Sequence, residues 1–258
     1  MDIVFIGAGN LATNLAKSLH DHGYKIKQVY SRTLRSAKEL ANMTDASYTS
    51  DIQDLVSEAD LFILSVTDDA IKEILEKLMV KQGLIVHTAG SVPMNIFESY
   101  FEDFGVFYPL QTFNKQKEVD FSNVPVCLEA NSEQNLKILD SIARSLTQQV
   151  YYLDTEQRLY IHIAAVFACN FTNFMFVSAE NILQKQGIPF HILNSLIQET
   201  TQKIYDDIPS ALQTGPAVRN DKKTVDKHLK LLSDAELFKN LYSFVSDAIR
   251  KYYNKETE

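Results

Sequence analysis

Asp2-Ile3-Val4-Phe5-Ile6-Gly7-Ala8-Gly9-Asn10-Leu11-Ala12 is the stretch on which the fold is decided. Its first five residues are apolar apart from Asp2 and rich in β-branched side chains, which reads as a strand buried on both faces. From Asn10 to His22, Leu11, Leu15 and Leu19 recur four apart, the stripe of an amphipathic helix that Gly23 stops. Between strand and helix lies a G-x-G-x-x-A turn. Gly7 permits the tight turn, Gly9 leaves the backbone open to a pyrophosphate, and Ala12 lets the helix close on the strand. The helix N-terminus then offers unpaired N–H groups and partial positive charge to phosphates. Glycines mark many turns; the strand before and the helix after make this one read as a dinucleotide site.

Outward from the turn, the first half alternates short β-branched or aromatic runs with helical patterns, as in a mostly parallel sheet with helices on its faces. Strands are expected at Asp2 to Ile6, Lys25 to Ser31, near Ser47, Leu61 to Val66 and Leu84 to His87. Helices are expected at Asn10 to His22, Leu34 to Asn42, Asp51 to Ser57 and Asp68 to Met79, the last capped by Asp68 or Asp69. Val106 to Tyr108, Val124 to Glu129 and Val150 to Leu153 read as strands of a second half, with a helix from Glu133 to Leu146. The pattern leaves open whether they extend the first sheet or form another. Beyond Leu153 only helical segments remain: Thr155 to Gln186, Pro189 to Tyr205, Lys222 to Ser233 and Glu236 to Tyr253. Ile208 to Asp221 reads as an ordered loop and Lys255 to Glu258 as a frayed tail. The fold class is α/β: a doubly wound, mostly parallel Rossmann domain over residues 1–153, then an all-α domain over residues 154–258.

The chain has 258 residues, 45% hydrophobic and 22% charged, the balance of a globular protein with a sizeable core. Its 25 Lys and Arg against 33 Asp and Glu leave a net charge of −8, which argues against nucleic acid as a partner. Two cysteines, Cys127 and Cys169, make no disulfide framework and no Cys-x-x-Cys, and no metal site is expected. No basic region precedes the N-terminal apolar run, so no signal peptide is read and the expected setting is cytoplasmic. Leu159 to Ala179 carries no charge and has the length to span a bilayer. His162, Asn170, Thr172, Asn173 and Ser178 within it point instead to a helix buried on most sides, with no membrane partner.

An NAD site places Asp or Glu after the second strand for the ribose hydroxyls. Here Tyr30-Ser31-Arg32-Thr33 stands there, with no carboxylate between Gly23 and Leu34. Arg32 suits an adenosine 2′-phosphate, with the Ser31 and Thr33 hydroxyls as further donors and Arg35 as a second cation, so NADP is the expected cofactor. A ligand over the carboxyl ends of the strands brings Val66 and Thr67 beside the ribose and nicotinamide, with His87-Thr88-Ala89-Gly90-Ser91 nearby. Along the long helix His162, Val166, Asn170 and Asn173 recur three and four apart and share a face. An imidazole, with an ordinary pKa near about 6.5, exchanges protons at neutral pH. His162 is therefore the first candidate proton donor and His87 the second, and Tyr108 also carries a donor hydroxyl. Arg219 has the fork to pair a substrate carboxylate, or to join Asp221 in holding its loop.

Gly7 to Ala12, Ser31-Arg32, Val66-Thr67-Asp68-Asp69-Ala70-Ile71, His87 to Ser91, Tyr108-Pro109-Leu110-Gln111-Thr112-Phe113 and Gly215-Pro216-Ala217-Val218-Arg219-Asn220-Asp221 together sample most of the chain. On these residues the N-terminal half resembles the NADP-dependent reductases related to pyrroline-5-carboxylate reductase, 6-phosphogluconate dehydrogenase and the deazaflavin-dependent NADP oxidoreductases. The whole chain resembles a bacterial family of NADP oxidoreductases whose Rossmann-like domain precedes a helical domain of unknown function. The resemblance implies that the helical domain makes a homodimer and that a small-molecule substrate lies between the nicotinamide and the long helix. It implies that Asn170 matches the Asn of the superfamily's hydroxyacid dehydrogenases, with Val166, which moves no proton, where their Lys stands. The function it implies is NADP-dependent hydride transfer to or from a small carbonyl or imine compound. His162, Asn170 and His87 are then the catalytic candidates and Arg219 and Asn173 the substrate contacts. Two other readings stay open: a non-catalytic NADP-binding sensor or assembly protein, and a reductase passing hydride between NADP and a flavin-like cofactor.

Overall fold

A computed structural model describes residues 1–254; the tail expected to fray, Lys255 to Glu258, lies outside the described residues. Its strands are β1 (Asp2–Ile6), β2 (Lys25–Tyr30), β3 (Ser47–Thr49), β4 (Glu58–Leu64), β5 (Gln82–His87), β6 (Phe104–Pro109), β7 (Val126–Ala130) and β8 (Val150–Tyr152). Its helices are α1 (Asn10–Asp21), α2 (Leu34–Met43), α3 (Asp68–Leu75), α4 (Glu133–Leu146), α5 (Thr155–Ala165), α6 (Thr172–Gln184), α7 (Asn194–Asp206), α8 (Lys222–Leu231) and α9 (Glu236–Tyr253). The strands form one eight-stranded sheet in the order β3-β2-β1-β4-β5-β6-β7-β8. The second-half strands therefore extend the first sheet. β6 pairs with β5 in parallel, β7 turns antiparallel to β6, and β8 runs parallel to β7.

The continuous apolar runs are explained by burial on both faces. Ile3, Phe5, Leu61 and Ile63 pack with Leu15 and Leu19 of α1 on one face. Val4, Ile6, Phe62 and Leu64 pack with Ile71 and Leu75 of α3 on the other. β1 lies between β2 and β4, so the chain leaves it in opposite directions along the sheet and opens a crevice at its carboxyl end.

Several expected boundaries move. The helix expected at Asp51 to Ser57 is one 3-10 turn, Ile52–Asp54, capped by the Asp51 side chain. α3 stops at Leu75 rather than Met79, and neither Asp68 nor Asp69 caps it. The N-cap is Thr67, without a side-chain bond, while the Asp68 carboxylate accepts from the Ser91 hydroxyl.

The strand pattern ends at Tyr152, beside the boundary read from sequence at 153, yet the two compact units divide between Val166 and Phe167. The difference has one physical cause, the anchoring of α5. Asp154 and Gln157 cap its start reciprocally, at 2.8 and 3.1 Å. One turn on, Arg158 is 1% exposed. It donates to the Glu129 carboxylate on β7 and to the Val92 carbonyl at 2.5 Å, and Glu129 also accepts from the Thr155 hydroxyl at 2.9 Å.

The long helix expected from Thr155 to Gln186 is three pieces: α5, a π-helical turn at Val166–Phe171, and α6. Its expected burial is overturned. Tyr160 and Phe167 are each 65% exposed, and only 6% of the helix's most apolar window is buried. By length and composition alone, with mean hydropathy 1.5, Thr155–Gln184 is long and apolar enough to cross a membrane. The regular elements of the second unit are all helical, and among its described residues Ser178 is the one buried side chain. Its α8 and α9 meet through a 2.8 Å bond between His228 Nδ1 and the Tyr242 hydroxyl.

Two predictions follow from this architecture. Arg158→Met leaves Glu129 without its partner, and breaking such a pair costs about 3–5 kcal/mol. At this size that is a fall in Tm of roughly 6–20 °C; a change under about 2 °C would contradict the anchoring role. His87, at the end of β5, is fully buried, and burial, then the Arg158 charge, push its pKa down to about 3. An unfolded histidine titrates near about 6.5, so the unfolded chain binds the extra proton between those values. The stability His87 contributes is fully present above about pH 6.5 and drains away as pH falls toward 3. His87→Phe is expected to flatten the loss of Tm between about pH 7 and about pH 4; equal slopes for the two chains would refute the assignment.

Candidate functional site

The crevice above the sheet is a cleft of about 570 Å3 within the first unit. Five strand ends and one helix furnish it. After β1 come Gly7, Gly9, Asn10 and Leu11; after β2, Ser31 and Arg32; after β4, Ser65, Val66, Thr67 and Asp68. Thr88, Ala89 and Gly90 follow β5, Tyr108 and Gln111 close β6, and His162 reaches in from α5.

The phosphate end fits a dinucleotide. Gly7 has φ +117°, and a Cβ there would collide with the Ser65 carbonyl, so only glycine makes this turn. A Cβ on Gly9 would meet nothing within 4 Å, so its backbone faces open space. Gly9 caps α1 without any side-chain bond, which leaves the first N–H groups of that helix for an anion. Ala12 is fully buried beneath, the packing role expected of it. Arg32 is exposed, lines the cleft and makes no ion pair among the described residues. Arg35 is not a second cation for the site, because its guanidinium donates to Glu39 at 2.7 Å on the outer face of α2. Thr33 is the N-cap of α2 and is not among the cleft's lining; Ser36, in the first turn of that helix, is. Sequence reasoning missed Ser36, although i+4 spacing from Arg32 across a helix start was a usable signal.

At the other end the Tyr108 hydroxyl and His162 Nδ1 lie 3.2 Å apart, with their ring planes at 64°. Tyr108 is 9% exposed, and burial raises its pKa above the ordinary tyrosine value, assisted by Cys127. Gln111 Oε1 accepts the Thr112 N–H at 2.8 Å, which fixes the side chain beside the pair.

The other candidates fall elsewhere. His87 does not line the cleft; it stacks on Phe97 with centroids 5.5 Å apart, and its Nδ1 accepts the Ala89 N–H at 3.2 Å. That bond orders the Thr88–Gly90 turn, so His87 shapes the wall from behind. Asn170, Asn173 and Arg219 are exposed residues of the second unit. A π-helical turn at Val166–Phe171 interrupts the α-helical repeat on which the three- and four-residue spacing rests. Arg219 makes no ion pair with Asp221 within 4.0 Å; Asp221 instead caps α8, accepting from Thr224. Among the described residues no group of three or more His, Cys, Asp or Glu side chains is placed to hold a metal.

Residues 2–90 match the family described as NADP oxidoreductase coenzyme F420-dependent, and residues 124–249 match a domain of unknown function, DUF2520. A "putative NADP oxidoreductase" of Bacteroides fragilis is 45% identical, with TM-score 0.90, over 97% of this chain and 98% of that one. A Thermotoga maritima protein shares the fold at TM-score 0.79 and 21% identity, over 98% of this chain and 99% of its own. An imine reductase from Myxococcus stipitatus, solved with NADP+, shares it at TM-score 0.70 and 16% identity, over 99% and 93%. The glutamyl-tRNA reductase of Sulfurihydrogenibium sp. is 34% identical over 131 residues, 48% of this chain, and the match spans only 29% of that curated relative's length. With a strand-turn-helix cradle for phosphates, Arg32 beside it, and full-length likeness to the Bacteroides fragilis protein, the chain belongs to the NADP oxidoreductase family in which this Rossmann domain is joined to a DUF2520 domain.

Proposed function

We propose that the protein is an NADP-dependent reductase acting on a small imine or carbonyl compound. The observation that carries this reading is the polarity of one cleft: phosphate-binding groups at one end and a hydrogen-bonded Tyr108–His162 pair at the other. The imine reductase from Myxococcus stipitatus that shares the fold supports an imine or carbonyl as the electrophile. The bound cofactor supplies hydride chemistry, and the chain supplies position and protons. Gly7, Gly9 and the N-terminus of α1 hold the pyrophosphate; Arg32, with the Ser31 and Ser36 hydroxyls, holds the 2′-phosphate. Val66 and Thr67 flank the nicotinamide ribose. The Tyr108–His162 pair holds the proton that reduction consumes at the substrate heteroatom.

The partner we propose is a second copy of this chain. The apolar face of Thr155–Gln184 is exposed in the single chain, and the polar groups within it, His162, Asn170 and Asn173 among them, suit a protein surface better than lipid. The excess of acidic side chains supports a small-molecule ligand and a cytoplasmic setting rather than nucleic acid.

The test is a thermal melt with NADPH and with NADH, on the native chain and on Arg32→Ala. Saturation at about a hundred times Kd adds about 2.7 kcal/mol, a rise in Tm of roughly 5–10 °C. NADPH is expected to give that shift in the native chain and NADH a smaller one. Arg32→Ala is expected to weaken NADPH about ten- to a hundredfold and leave NADH unchanged. No shift of the native chain with either nucleotide would overturn the proposal.

A further inference from the structure

Resting on that reading, we infer that Tyr108 is the residue that hands the proton to an imine nitrogen, that His162 replenishes it, and that Gly90 exists as glycine to let the two rings meet. Reduction of a C=N bond requires a hydride at carbon and a proton at nitrogen. The two electrons travel with the hydride from the reduced cofactor, so the proton must come from the chain or from water. Three ring-borne acids line the cleft: Tyr30, which ends β2 beside Ser31 and Arg32 at the phosphate end, and Tyr108 and His162 at the other. Of the last two, Tyr108 sits on the sheet, in register with Cys127 of β7, and its hydroxyl meets His162 Nδ1. The balanced step takes the Tyr108 proton to the nitrogen and leaves a phenolate. His162, protonated on both ring nitrogens, returns its Nδ1 proton to that oxygen and is left neutral. The half-buried imidazole then recovers its proton from solvent. Burial supports this order, because it keeps the phenol protonated until the nitrogen of the reduced substrate becomes the stronger base. The charged and titratable groups that face Tyr108 are Asp68 of α3, Cys127 of β7 and Arg158 of α5.

Gly90 adds an independent observation. A methyl at this position would stand 2.7 Å from His162 Nδ1, 2.9 Å from its Cγ and 2.9 Å from Tyr108 Cζ. No positive φ requires glycine there. The demand is steric and comes from this one pair of rings, so Gly90 is a positioning residue. The imidazole can swing aside, so Gly90→Ala is expected to separate the pair without unfolding the sheet.

Tyr108→Phe and Gly90→Ala test the inference with three readouts. Nitrogen NMR of the His162 ring reads the bond at Nδ1, the NADPH-induced melting shift reads the cofactor, and NADPH oxidation with 2-methyl-1-pyrroline reads the reaction. Both variants are expected to lose the Nδ1 hydrogen-bond signature and keep the melting shift. Both should lose about a hundredfold or more in kcat with the KM for NADPH within about threefold of native. Tyr108→Phe retaining kcat within about threefold of native would overturn the inference. So would a native chain that binds NADPH but leaves the imine unreduced. A native chain whose melt does not respond to NADPH instead overturns the cofactor reading on which the inference rests.

Discussion

The buried Arg158 guanidinium is the contact on which the geometry of the site depends. A charge removed from water costs several kcal/mol unless it is paired and hydrogen-bonded, so its partners dictate where it can sit. Glu129 on β7, the Val92 carbonyl after β5 and the capped first turn of α5 leave one position for it. That position carries His162, one helical turn further on, to the open end of the cleft. The first unit thus includes α5 although the strand pattern has already ended.

The Rossmann half was legible because its signals are local. β1, the glycine turn and α1 are contiguous, and their periodicities of two and about 3.6 need no distant partner to be read. Arg32 was legible for the same reason, lying two residues past the end of β2. What sequence reasoning missed is non-local. Arg158 and Glu129 are 29 residues apart and Tyr108 and His162 are 54 apart, and neither pair leaves a periodic trace. The antiparallel turn of β7 against β6 brings Glu129 and Cys127 to their places, and no residue in either strand announces its direction.

A further difference lies in one side chain. His87 ends a strand near the expected ligand, but side chains alternate along a strand and this one points into the layer of Phe97. The element is the expected one and the side chain faces away from the cleft. The exposed face of Thr155–Gln184 is a different matter: its apolar composition marks it as a surface to be covered.

The cleft therefore combines a cradle that any glycine turn of this kind provides with a proton-bearing end made by Tyr108 and His162. The measurement that tests this account most directly is a crystal structure of the chain with NADP+ bound. The account predicts the 2′-phosphate on Arg32 and Ser31, the pyrophosphate at the start of α1, and the nicotinamide between Val66–Thr67 and Thr88–Gly90, with its C4 turned toward the Tyr108 hydroxyl. A 2′-phosphate held away from Arg32, or a nicotinamide whose C4 faces away from Tyr108 and His162, would contradict it.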